Sequence, residues 1–290
     1  MNRFRSIFKT NKALIGMVHM LPMLGYKDFS SIEETVKCAI QDAKNIERVG
    51  MAALIIENNY DIPHQIFVKP EVIASFTYVA NQIARVVKIP IGISVLWNDY
   101  YSALSIAKII GASFVRVPVF VDIVETSYGK VTGNAGDVLA FRKKIGGEHI
   151  AIFTDIQVKH SKLLNIRPIE ESALEAVKKG SDGLIVTGKW TGDAPNMQDL
   201  IDTRKAVKDF PLLVGSGATL ENMDTLTKYA NGIIVGTSIK TGAVLSKEQN
   251  VNIKPLEERV SLDKAKVFVK KFAGCTGVGA TRTSSKHSKS

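Results

Sequence analysis

Cysteine is scarce in this 290-residue chain, with Cys38 and Cys275 the only two. Neither lies in a CxxC or Cys/His spacing, so the sequence offers no disulfide framework and no zinc signature, and it points to a reduced compartment. Missing too is any apolar run near the roughly 18 residues needed to cross a bilayer, because charged residues or glycines interrupt each stretch. No membrane insertion is expected, and the protein reads as soluble. No dense block of basic and aromatic residues accompanies the net charge of +10. The surplus comes from scattered lysines, so no nucleic acid is expected as a partner. Solvated lysines on helix faces account for that charge, and an anionic small molecule suits it equally. Finally, the interior has no long linker, no low-complexity segment and no break in composition.

What is present is an ordinary globular composition, 45% hydrophobic and 23% charged, with enough apolar surface for a sizeable core. Short β-branched runs alternate with segments of helical period about eight times, as in repeated βαβ units. Strands are expected at 14–20, 52–58, 90–96, 114–120, 149–156, 183–188, 212–216 and 232–237. In the first helical segment Ile32, Val36, Ala39, Ala43 and Ile46 share one face. Ser30 and Ser31 stand where an N-cap belongs, with Glu33 and Glu34 in the first turn. The run Leu54-Ile55-Ile56 is apolar throughout, as a strand covered on both faces must be. These features predict an α/β protein, a single (β/α)₈ TIM barrel over 1–280. A doubly wound open sheet is the alternative. Arg3, Arg5, Lys9 and Lys12 open the chain without an acid, superficially like a mitochondrial presequence. A strand starting near Ala13 instead favours a short N-terminal helix plugging the barrel. Residues 281–290 read as a disordered basic tail.

Barrels of this kind carry their chemistry at the carboxyl ends of the strands. Here those ends are polar: His19, Glu57-Asn58, Asn98-Asp99, Arg116, Asp155 with Lys159-His160, Thr187-Gly188, Gly215-Ser216-Gly217 and Gly236-Thr237-Ser238. The last two triplets let backbone N–H groups approach an anion, and a phosphate is expected there. Glycines that merely permit tight turns are the competing reading. Lys189, in the loop Thr187-Gly188-Lys189-Trp190-Thr191-Gly192, brings a cation toward the same pocket or lies on a surface loop. Asp155, Lys159 and His160 form an acid–base trio, with Lys159 a base or Schiff-base nucleophile if desolvated. A rim ion pair is the alternative. Glu57, His19, Asp155 and His160 together form a set that can ligate a divalent metal, the one cofactor considered, although their spacing is no recognised signature. Arg116 clamps an anionic ligand or pairs with Glu57 or Asp155. His64, His149 and His287 receive no role.

Along nearly its whole length the chain resembles the BtpA family of barrel proteins, related in kind to the ribulose-phosphate-binding barrels. The resemblance is carried by Ile15-Gly16-Met17-Val18-His19-Met20-Leu21-Pro22 with Gly25, by Glu57-Asn58 with Asp61 and Pro63, and by Val95-Leu96-Trp97-Asn98-Asp99. Phe114-Val115-Arg116-Val117, Asp155-Ile156-Gln157-Val158-Lys159-His160, the loop 186–192, and the turns 215–217 and 234–238 continue it in order. It implies the barrel fold and an N-terminal segment that belongs to the mature protein, hence the cytoplasm over the mitochondrion. Members of the family are tied to photosystem I accumulation in photosynthetic cells, yet others occur where there is no photosynthesis. Pro118 departs from the family, standing where a polar residue, commonly Asn, is expected. The stretch 121–128 and the insert 241–253 depart as well.

The expected function is that of an enzyme on a small phosphorylated ligand, a sugar phosphate or nucleotide-related compound, as an isomerase, lyase or glycosidic hydrolase. On that reading Asp155→Asn and Lys159→Met abolish turnover without unfolding, and Gly236→Val weakens anion binding. The alternative is a non-catalytic assembly factor, like one for photosystem I biogenesis, binding a protein partner. Homo-oligomerisation stays open.

Overall fold

The computed structural model describes residues 3–189, 192–242 and 258–278. Helix α1 (Arg3–Phe8) precedes strand β1 (Ala13–His19), and the units that follow are α2 (Ile32–Arg48), β2 (Ala53–Glu57), α3 (Pro70–Ala84), β3 (Ile91–Ser94), α4 (Tyr100–Ile110) and β4 (Phe114–Val117). A hairpin, β5 (Ile123–Thr126) and β6 (Gly129–Thr132), comes before α5 (Ala135–Lys144) and β7 (Ala151–Ile156). After the short β8 (Ser161–Leu163) come α6 (Ile169–Lys178), β9 (Gly183–Val186), α7 (Met197–Val207), β10 (Leu212–Val214), α8 (Met223–Tyr229), β11 (Gly232–Val235), a 3₁₀ turn at Thr237–Ile239, and α9 (Leu262–Thr276).

Eight parallel strands close in the order β1-β11-β10-β9-β7-β4-β3-β2, with β1 pairing β11 through Ala13 and Gly232. The fold is therefore a (β/α)₈ barrel rather than an open sheet. Helix α2 forms as its periodicity predicts: the Ser31 side chain accepts the Glu34 N–H at 3.1 Å, and Ala39, Ala43 and Ile46 are buried. The small sheet β6-β5-β8 was absent from the expected strands. The stretch 121–128 runs into this sheet, and Val124 and Val131 pack with Trp97, Val119 and Val158 just past the carboxyl ends of β3, β4 and β7.

Strand side chains alternate faces, so residues two apart point the same way. Ile15, Met17, Ala53, Ile55, Phe114, Phe153, Ile185, Leu213 and Ile234 form the buried core inside the barrel. Helix α1 closes its lower end, with the Phe8 ring centroid 5.6 Å from Phe114 and 6.0 Å from Phe153. The opposite faces of the strands pack on the helices in a larger apolar layer. One step of two up each inward column brings His19, Glu57, Ser94, Arg116, Asp155, Gly215 and Gly236 to the carboxyl end. The alternation that fills the barrel with apolar side chains thus also sets the layer of the candidate site.

Candidate functional site

Arg116 organises that layer. Its Nε and Nη2 donate to the two carboxylate oxygens of Asp155 at 2.8 and 2.7 Å, a bidentate pair. Nη1 lies 3.8 Å from Glu57 Oε2, which also accepts the Ser94 hydroxyl at 2.9 Å. Burial opposes the Arg116 charge, but Asp155 and then Glu57 outweigh it and raise its pKa further above the ordinary value. His19 Nε2 stands 3.7 Å from Glu57 Oε1, and its Nδ1 is 2.8 Å from Lys240 Nζ. Lys240 is only 1% exposed. It did not figure among the expected site residues; the only sequence signal is a lone lysine right behind the Gly236-Thr237-Ser238 turn.

A small inner cavity of about 50 Å³ opens above these groups, lined by Met17, His19, Glu57, Arg116, Lys159 and the turns 215–218 and 236–238. The two glycine turns expected to cradle an anion therefore share one wall system with two cations, a carboxylate and an imidazole. Gly217 has φ +63°, and a Cβ there would lie 1.9 Å from the Ala194 nitrogen, so both backbone shape and packing demand glycine. Ser216 is committed to the neighbouring loop, accepting the Gly188 N–H at 2.8 Å and donating to the Asp193 carbonyl at 2.9 Å. The Ser238 hydroxyl donates to the Ala218 carbonyl at 2.7 Å and so ties the two turns together. The main-chain N–H groups of Gly217 and Ala218 make no hydrogen bond among the described residues.

Lys159 follows β7 with its N–H donated to the Thr187 hydroxyl at 3.1 Å. Desolvation, helped by the Arg116 charge, lowers its pKa to about 8 against the pull of Glu57, Asp155 and Asp193. His160 takes a positive φ of 59° and donates its N–H to the Lys189 carbonyl at 3.2 Å. Burial, then Lys159, His64 and Arg116, push the His160 imidazole down to about 3, so it is neutral at ordinary pH. His64, given no role from sequence, is buried, and desolvation lowers it to about 4.

The expected residues do not all converge. Asn58 accepts the Leu96 N–H at 2.7 Å and donates to Asp61 at 3.1 Å. Asn98 exchanges two hydrogen bonds with Val119, and Asp99 caps α4 through Ser102 while accepting the Val68 N–H. These three side chains hold loops and do not line the inner cavity. Thr187, Gly188 and Lys189 line an outer groove of about 680 Å³, which meets the inner cavity at Lys159, Gly192 and Gly217. Lys159 lines both spaces, whereas Lys189 lines the outer groove alone, beside Gly217. Asp155 is sealed against Arg116, which changes the expectation that Asp155→Asn would leave folding intact. Among the described residues no three His, Cys, Asp or Glu side chains gather as metal ligands. Trp190, Thr191, most of the insert 241–253 and the tail 281–290 lie outside the described residues. No helix among those described is long and apolar enough to cross a membrane.

The chain as a whole is similar to other proteins. A Pyrococcus furiosus protein of uncharacterised function is 37% identical over 271 residues, 93% of this chain and 98% of its own. The photosystem I biogenesis protein BtpA of Synechocystis is 34% identical over 236 residues, covering 80% of this chain and 82% of that one. Among solved structures, N-(5'-phosphoribosyl)anthranilate isomerase from Pyrococcus furiosus superposes with a TM-score of 0.55 at 11% identity, over 91% of this chain and 99% of that one. At that identity the likeness speaks for the barrel alone. The BtpA family profile matches residues 10–261, and together with the two sequence relatives it makes this chain a member of the BtpA family.

Proposed function

We propose that the protein is an enzyme acting on a small phosphorylated compound at the carboxyl end of the barrel. One observation carries this reading: the turns 215–218 and 236–238, Lys159, Arg116, Glu57 and His19 line a single cavity. The phosphate rests on the two turns, where the N–H groups of Gly217 and Ala218, unbonded among the described residues, supply donors. Lys159 and Arg116 add positive charge. With a pKa of about 8, Lys159 exchanges protons near neutral pH, and Glu57 is the carboxylate within reach of the same space. Proton transfer beside the phosphate suits an isomerase or a lyase. The isomerase of similar fold acts, by its name, on a phosphoribosyl compound, which supports a sugar phosphate or nucleotide-related ligand here.

The second reading, a non-catalytic assembly factor, draws on the name of the Synechocystis relative and on an apolar groove at the opposite end of the barrel, lined by Ile7, Phe8, Met51, Ile89, Val269 and Phe272. A thermal-shift screen separates the two. With inorganic phosphate, sugar phosphates, nucleotides and divalent cations as separate arms, a ligand at 100 times its Kd adds about 2.7 kcal/mol of stability. A rise with a phosphorylated compound that is lost in Gly236→Val supports the enzyme. No rise with any of them turns the case to the assembly factor.

A further inference from the structure

Lys240 lies just beyond the 3₁₀ turn that closes the anion cradle, and its backbone is pinned on both sides. Its N–H donates to the Thr237 carbonyl at 3.1 Å, its carbonyl accepts Lys264 Nζ at 2.8 Å, and it bridges Val260. The side chain runs inward to His19, with Nζ 2.8 Å from Nδ1 and 5.5 Å from the centre of the Tyr60 ring. Asp42 is near enough for the two charges to act on each other: burial raises the Asp42 carboxyl above its ordinary range, and the Lys240 ammonium works against that rise. Burial opposes the charge on Lys240, and the Asp42 carboxylate and the Tyr60 ring face favour it.

An ammonium has three donors and no acceptor, so the ring nitrogen it touches must offer a lone pair. A neutral imidazole carries one proton, which then sits on the other nitrogen. That nitrogen, Nε2, faces Glu57 Oε1 at 3.7 Å and borders the inner cavity. It also overhangs the second glycine turn, since a Cβ on Gly236 would lie 3.5 Å from Nε2 and 3.2 Å from Cε1. Protonating Nδ1 as well would set a second positive N–H against the Lys240 ammonium at 2.8 Å, a closer contact than the Glu57 carboxylate at 3.7 Å that favours imidazolium, so the geometry opposes imidazolium.

We propose that Lys240 is a positioning residue that holds His19 neutral as its Nε2–H tautomer, making His19 a hydrogen-bond donor to an anionic ligand oxygen on the Gly236 turn. The donor half rests on the phosphate reading of the cavity; the tautomer half does not. It follows that His19 supplies a donor and not a base, and that base work in this cavity falls to Glu57 or Lys159. A neutral imidazole can polarise an oxygen in this way without giving up its proton.

The test begins with the full-length wild-type protein, labelled with ¹⁵N and followed by imidazole NMR. His19 is expected as the Nε2–H tautomer, unchanged from about pH 5 to 8, the range in which an ordinary histidine titrates. In Lys240→Met the same ring is expected to mix tautomers or titrate in that range. An Nδ1–H tautomer, or titration of His19 in the wild type, overturns the proposal without any variant having to fold. The donor half is read by titrating inorganic phosphate. Glutamine places its amide where Nε2 stands and asparagine where Nδ1 stands, so His19→Gln should bind phosphate within about threefold of wild type and His19→Asn about tenfold or more weaker. Equal losses, or the reverse order, overturn the donor role. Absence of phosphate binding by the wild type overturns the donor half along with the reading beneath it, and the spectrum then decides the Lys240 half alone.

Discussion

Toward the amino end of the barrel the inward columns of β4 and β7 carry Phe114 and Phe153, packed on Phe8, while two residues farther along they carry Arg116 and Asp155. The two layers share strands, register and burial. They differ in what burial costs: the apolar layer gains by leaving water, whereas the polar layer must find a partner for every charge. In this chain the lower layer stabilises the fold, and the upper layer spends part of that stability to keep charged groups facing a cavity.

The largest effect should come from breaking the upper layer's internal pair. Asp155→Asn leaves the Arg116 charge buried without its bidentate partner, and denaturant unfolding should show a loss of about 3–5 kcal/mol. A loss under about 1 kcal/mol would mean that Glu57 alone suffices. Phe153→Ala in the lower layer should lose a similar or slightly smaller amount, about 3–4 kcal/mol, from transfer and cavity terms. Its phosphate affinity should stay near wild type, which calorimetric titration would check; a parallel loss of affinity would mean that the layers are not separable.

Acid should act on the upper end first. His64 and His160 titrate at about 4 and 3 in the folded protein, below the ordinary value of 6.5. The unfolded chain therefore binds more protons in that window, so their contribution is complete above pH 6.5 and is lost as pH falls toward 3. His64→Phe should flatten this acid limb by about 1–3 kcal/mol, measured as stability against pH. An unchanged limb would assign acid sensitivity to other groups.

Lys159 has the same sign of slope at the alkaline side. Its folded pKa of about 8 lies below the ordinary lysine value of 10.5, so wild-type stability rises with pH between those values as the unfavourable folded-state proton is given up. Lys159→Met should be more stable than wild type near pH 7, by an amount on the order of 1 kcal/mol that shrinks above pH 8, while turnover is lost. Retained turnover would remove Lys159 from the chemistry. The smallest effect is expected for Gly236→Ala, whose Cβ would press on His19 Cε1 at 3.2 Å; phosphate binding should weaken several-fold with little change in stability.

Much of this was legible in the chain because period-two alternation and helical periodicity are local signals. Each of the eight barrel strands lies within a stretch where a short apolar run met a turn. The hairpin β5-β6 is the exception: Ile123 to Thr126 and Gly129 to Thr132 flank the two-residue turn Ser127-Tyr128, which is none of the Gly- or Asn-bearing pairs that mark a hairpin in a sequence. Polar strand ends marked the right layer, but spacing cannot say which of them turn inward. Asn58, Asn98 and Asp99 satisfy loop backbone, a role fixed by partners 21 to 38 residues away in the chain. Lys240 escaped notice for the converse reason, since nothing local reveals that a lone lysine is buried against a histidine 221 residues earlier.

The central claim, that the two glycine turns form an anion site, is tested most directly by a crystal structure of the protein grown with inorganic phosphate. The account predicts an anion held by the Gly217 and Ala218 N–H groups and the Gly236 turn, within reach of Lys159. A filled crystal with ordered turns and no anion there, under conditions where phosphate binds elsewhere on the protein, would contradict it.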